Sequence, residues 1–84
     1  MILVIGKVLE VNYSRGLIGY ETKNGYGYFE ILNGLDDIET DDEISGNLED
    51  LENHTVLNMR NRSKYSVFIE DFGMDYSTMI EIIS

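Results

Sequence analysis

Residues 17–30, L-I-G-Y-E-T-K-N-G-Y-G-Y-F-E, decide the reading of the whole chain. Two runs of aromatic, β-branched and glycine residues flank Asn24-Gly25. That dipeptide predicts a two-residue hairpin turn with positive φ at both central positions, which glycine adopts freely and asparagine tolerates. Pairing across it sets Lys23 opposite Tyr26, Thr22 opposite Gly27 and Glu21 opposite Tyr28. Further along, Tyr20 faces Phe29, Gly19 faces Glu30 and Ile18 faces Ile31. Opposed residues share a face. One face therefore carries Ile18, Tyr20, Thr22, Phe29 and Ile31 and is a core. The other carries Glu21, Lys23, Tyr26, Tyr28 and Glu30 and is wet and aromatic.

On the N-terminal side, residues 2–13 (I-L-V-I-G-K-V-L-E-V-N-Y) read as one long strand. Gly6 predicts a bulge or bend where that strand serves two parts of a barrel. Ser14-Arg15-Gly16 turns the chain into a strand over 17–22, and a third strand over 26–32 ends at Asn33-Gly34. Beyond it we expect a loop over 35–41, a short strand near 42–48 and a helical turn near 49–53. Residues 55–60 and 65–71 predict a second hairpin across Asn61-Arg62-Ser63-Lys64. At 76–84, Thr78, Ile80 and Ile82 alternate as in a strand, whereas Met79, Ile80 and Ile83 would line a helix. The β-branched content favours the strand.

This order predicts a mainly all-β domain over 1–84, a small barrel of five or six strands, because closure removes exposed edges. A long first strand, a meander and a second hairpin look like the OB-fold, with an SH3-like barrel as the alternative. Without cysteine there is neither a thiol nucleophile nor a thiolate metal site. Met1 to Ile5 is too short for a signal-peptide core, and no apolar stretch approaches the ~20 residues that span a bilayer. The expectation is a soluble, cytoplasmic protein with no membrane partner.

Sixteen acids against six bases give a formal charge of −10. Residues 1–35 are neutral, residues 54–84 carry −1, and the remaining −9 lies between Asp36 and Glu52. Such a field repels phosphate backbones and favours a basic partner.

Asn24-Gly25-Tyr26-Gly27-Tyr28-Phe29-Glu30 is similar to the K-G-F-G-F-I-E segment of cold-shock domains, and Gly6-Lys7-Val8 with Asn12 resembles the G-K-V…N of that family's first strand. The resemblance implies an OB-fold in which Tyr26 and Tyr28 stack on single-stranded bases. Asn24 stands where the family is basic, and no aromatic V-F-V-H motif follows the third strand.

Three sets of residues are candidates for binding. Tyr26 and Tyr28 form either a stacking platform or an ordinary cross-strand pair; Glu21 and Glu30 against Lys23 weigh against nucleic acid. Lys7, Lys23, Arg60 and Arg62, with Arg15 and Lys64, form either a basic strip or scattered solvated charges. Asp36, Asp37, Glu39, Asp41, Asp42 and Glu43 offer an acidic surface for a protein partner. Asp42 stands where a calcium loop needs glycine, so no metal is expected. Nothing in the local sequence identifies a partner or a pocket for His54, the sole histidine, and no phosphate loop or nucleophile elbow occurs, so neither enzyme activity nor a cofactor is expected. The sequence thus favours a non-catalytic module that docks on a protein through its acidic loop and aromatic hairpin face. Single-strand nucleic-acid binding and nucleic-acid mimicry are the alternatives.

Overall fold

The computed structural model describes residues 3–34 and 36–84, so Ile2 of the expected first strand and Leu35 of the expected loop lie outside the described residues. Six strands follow in chain order: β1 Val4–Asn12, β2 Leu17–Thr22, β3 Gly25–Ile31, β4 Glu43–Gly46, β5 Glu52–Asn58 and β6 Lys64–Met74, with a helix, α1, at Tyr76–Ile83. They close in the order β1-β2-β3-β6-β5-β4, with every neighbouring pair antiparallel. The expected mainly-β barrel forms, and its shape is consistent with an OB-like barrel.

The first strand does serve two parts of the barrel. Val4–Lys7 pair with β4, and Lys7–Asn12 pair with β2. The irregularity, however, sits between Val8 and Glu10 rather than at Gly6. Gly6 is required for a different reason: a Cβ there would lie 2.8 Å from Leu48 Cδ1, in the space that Leu48 needs to enter the core.

The central hairpin corrects the expected register by two residues. Thr22 pairs with Gly25, Glu21 with Tyr26, Tyr20 with Gly27, Gly19 with Tyr28 and Ile18 with Phe29. The turn is Lys23-Asn24, and of Asn24 and Gly25 only Gly25 has positive φ, at 131°. The Thr22 hydroxyl accepts the Asn24 N–H at 3.1 Å, closing the turn with a side chain. Ring volume explains the choice. Tyr20 opposite Gly27 lays its ring across a residue without a side chain, and a Cβ at 27 would come 2.8 Å from the Tyr20 hydroxyl. Phe29 becomes the diagonal neighbour, with ring centroids 5.6 Å apart. Because the side-chain period of a strand is two, a slip of two leaves both faces as expected.

Alternate strand positions fill the core with Val8, Ile18, Tyr20, Phe29, Ile44, Val56, Tyr65, Val67 and Ile69. Two more members come from loops: Ile38, before β4, and Leu48, after it, are both fully buried. The helical turn expected near 49–53 is absent, since β5 already begins at Glu52. The second hairpin forms between β5 and β6, with its loop at 59–63.

The C-terminal segment is a helix, against the strand expected there. Asp75 caps it, its Oδ1 accepting the Thr78 N–H at 2.9 Å. Met79 and Ile83, one helical turn apart, are both buried. A strand would have placed these two on the same face as Glu81, whereas the helix sends Glu81 to solvent. Among the described residues no helix is long and apolar enough to cross a membrane.

Candidate functional site

The acidic loop between β3 and β4 has a side turned inward. Ile38 is 0% exposed and belongs to the barrel core, whereas Leu32 at the start of the connection is 51% exposed. Asp42 follows Ile38 inside, at 5% exposure. The Arg60 guanidinium clasps this carboxylate with two nitrogens, Nε to Oδ1 at 2.6 Å and Nη2 to Oδ2 at 3.1 Å. Arg60 Nη2 also donates to the Asp37 carbonyl at 2.8 Å and lies 3.0 Å from a Glu39 carboxylate oxygen. Deeper in, Asn58 Nδ2 donates to Asp42 Oδ2 at 2.8 Å and to the Tyr65 hydroxyl at 3.1 Å, and that hydroxyl donates to Asp37 Oδ1 at 2.8 Å. Ser63 Oγ completes the chain at Asp37 Oδ2.

Direct hydrogen bonds from Arg60 hold the Asp42 carboxyl below the usual carboxylate range, and those from Ser63 and Tyr65 do the same for Asp37. The Asp42 contacts in turn raise the Arg60 guanidinium. Asp41 turns the loop back in a left-handed conformation, φ 76°, which aspartate tolerates, and its N–H bonds to the Val8 carbonyl at 2.8 Å. Its carboxylate lies 3.5 Å from Lys7 Nζ in an exposed pair. Asp37 is exposed along with Asp36, Glu39, Asp41 and Glu43, and of the six only Asp42 is buried. The six acids of the candidate surface divide by role nonetheless: Asp37 and Asp42 fasten the loop, and the other four face water.

The outer hairpin face carries Tyr26 and Tyr28 where the sequence places them, but it is not bare. Leu17, Met79 and Ile83 are buried on it, and Leu9, Tyr26, Tyr28, Met74 and Ile80 pack around them half-buried. Tyr26 meets Tyr76 of α1 edge to face, with centroids 5.5 Å apart. Gly19 makes room for the helix, since a Cβ there would run into the Met79 sulfur. The carbonyls at the helix C-terminus, which have no intrahelical partner, are taken up from the β1–β2 turn: Asn12 Nδ2 donates to Ile83 O at 2.7 Å and Arg15 Nη1 to Ile82 O at 3.2 Å. Hydrogen bonding to Glu21 raises the Tyr26 phenol, and burial raises that of Tyr28.

Lys7 and Lys23 share the wall of one open depression, beside Glu21 and Glu43. Lys7 and Arg60 flank the acidic loop and partially neutralise it. Lys23 sits exposed at the β2–β3 turn, and Arg62 and Lys64 lie exposed at the β5–β6 turn. His54 Nε2 lies 3.2 Å from both the Asp50 carboxylate and the Leu51 carbonyl, tying the start of β5 to the turn before it. Sequence reasoning missed Asn58, Ser63 and Tyr65 as partners of the acidic loop. The available signal was Asn58, a polar residue at an inward strand position two after Val56, which demands internal hydrogen bonds. Compared with models of known families, with curated proteins and with solved structures, the chain finds no match.

Proposed function

We propose that this protein is a non-catalytic binding module that docks on a basic protein surface through the water-facing carboxylates of the 36–43 loop. The observation that carries the reading is the division of labour within that loop. Asp42, Asp37 and Ile38 anchor it to the barrel, so Asp36, Glu39, Asp41 and Glu43 are presented on a fixed frame. A charged surface held in place loses little side-chain and backbone freedom on docking, and its field steers a partner of opposite sign. If that partner binds nucleic acid itself, the same surface serves as a mimic of phosphates.

Tyr26 and Tyr28 contribute less than the sequence suggests, because α1 covers part of their face and Arg60 is engaged by carboxylates. Single-strand binding, which depends on free cations and open rings, is therefore the weaker reading. A pull-down from lysate tests the proposal, comparing the wild type with a variant carrying D36N, E39Q, D41N and E43Q. The variant spares both anchoring aspartates, so the barrel stays folded. Partners lost from the variant and released from the wild type by raised salt support the reading; equal recovery with both proteins overturns it.

A further inference from the structure

We infer that Asn33 is a site of spontaneous covalent modification, a deamidation in which solvent water converts its side-chain amide to a carboxylate at the head of the acidic loop. The inference is independent of the docking reading above.

The chemistry is an intramolecular acyl transfer. The backbone nitrogen of the residue after an asparagine loses its proton to solvent base and attacks the asparagine Cγ, forming a cyclic succinimide. The bond from Cγ to the side-chain nitrogen breaks, and that nitrogen leaves as ammonia with a proton from water. Water then opens the ring. Cleavage of the new N–Cγ bond gives aspartate, and cleavage of the original peptide bond gives isoaspartate, whose backbone runs through Cγ. The attack needs a following residue with no Cβ in the way and a nitrogen not already held in a hydrogen bond. Asn24 and Asn33 are the two asparagines that precede glycine, and the fold treats them differently. Asn24 lies in the two-residue turn closed by the Thr22–Gly25 pair, so the Gly25 N–H donates to the Thr22 carbonyl as part of the ladder. The Asn24 N–H bonds to Thr22 Oγ1 at 3.1 Å, and its side-chain amide donates to Glu49 Oε1 at 3.1 Å. Both reacting groups are held, and the Glu49 carboxylate beside them disfavours an anionic nitrogen.

Asn33 and Gly34 lie instead in the exposed stretch that follows β3. Gly34 has φ 72°, and a Cβ built there would have no atom within 4 Å. Among the described residues no hydrogen bond engages the Gly34 N–H. The Asn33 amide makes one contact, a donation to the Lys64 carbonyl at 3.4 Å, which is long for such a bond. The nucleophile and Cγ are free to meet. The product adds one negative charge to a chain already at −10 and places it next to Leu32, whose N–H is held by the Ser66 carbonyl at 2.7 Å. The methylene that isoaspartate inserts falls just beyond that pinned residue, so the barrel is spared while the entry to the 36–43 loop lengthens.

The test incubates the whole chain in mildly alkaline buffer, folded and in urea, and follows both Asn-Gly sites by peptide mapping and mass spectrometry. In the folded protein Asn33 should convert faster than Asn24 by about tenfold or more, since Asn24 must wait for local opening of the hairpin. In urea the two rates should converge, because both sites are Asn-Gly and only the fold separates them. The acidic species that accumulates on charge separation should disappear in N33Q, whose longer side chain closes a ring slowly, and persist in N24Q. If N24Q disturbs the hairpin, the wild-type mapping alone decides. Equal rates at the two sites in the folded protein overturn the inference. So does a difference that persists in urea, or an Asn33 that reacts in urea and stays intact in the folded protein.

Discussion

The acidic loop and the C-terminal helix both pack on the same barrel, the loop into its core and the helix on its outer face, and they do it with opposite chemistry. The 36–43 loop inserts one aliphatic side chain, Ile38, and secures it with an Arg60–Asp42–Asn58–Tyr65–Asp37 chain of hydrogen bonds. The helix lays Met79 and Ile83 on the outer hairpin face, with polar ties at its two ends only. The difference teaches that high charge density is no guide to exposure. A carboxylate with a guanidinium and an amide to hold it can sit at 5% exposure, while a run of isoleucines can end on the outside of a barrel. It also teaches that the two attachments respond differently, one to proton activity and charge, the other to apolar area.

That contrast can be broken or sharpened experimentally. Ile38→Ala should have the largest effect, removing a fully buried side chain at a cost of about 3 kcal/mol, read as a lowered urea midpoint. A loss below half a kilocalorie would mean that the loop does not seal the core. Asp42→Ala should come next, at about 2 kcal/mol, because it takes the acceptor from one buried Asn58 amide N–H while the half-exposed Arg60 turns to water. Asp42→Asn should recover part of this, and failure to do so would place the effect in charge alone. Gly19→Ala should cost about 1–2 kcal/mol by pushing Met79 outward, with a matching change in tyrosine fluorescence from Tyr26 and Tyr28. An unchanged spectrum would show that the helix does not cover the rings.

The smallest effect should be the pH response, and its sign follows from the anchors. Asp42 and Asp37 have folded pKa values below their ordinary ones. Their contribution is present above the ordinary carboxylate range, about pH 4, and is lost as pH falls through the lower folded values. Arg60→Ala should flatten the Asp42 part of this acid limb, whereas Met79→Ala should lower stability at every pH and leave the limb intact. Asp75, also depressed by its bond to Thr78, gives the helix a lesser share of the same response. A limb equally steep with and without Arg60 would assign the acid sensitivity elsewhere.

Much of the barrel is legible in order along the chain, and the hairpin shows why. Tyr20, Phe29 and Ile18 face inward whether the ladder is read with Asn24-Gly25 or with Lys23-Asn24 at its tip, since both readings keep the same parity. The register itself depended on the fit of the Tyr20 ring over Gly27, a contact between strands that no local propensity encodes. The acidic surface was half legible. Its charge was visible, but Asp37 and Asp42 differ from Asp36 and Asp41 only through Arg60, Asn58, Ser63 and Tyr65, all distant in sequence.

The sequence by itself determined the strands, their faces and the concentration of charge between Asp36 and Glu52, because period-two alternation, glycine and carboxylates act locally. Only the tertiary structure decided that 76–83 is a helix, that Ile38 enters the core and that Asp42 is internal. Each of those outcomes depends on a surface supplied by other strands: an apolar hairpin face with a gap over Gly19, an open barrel end, and a guanidinium at the far hairpin.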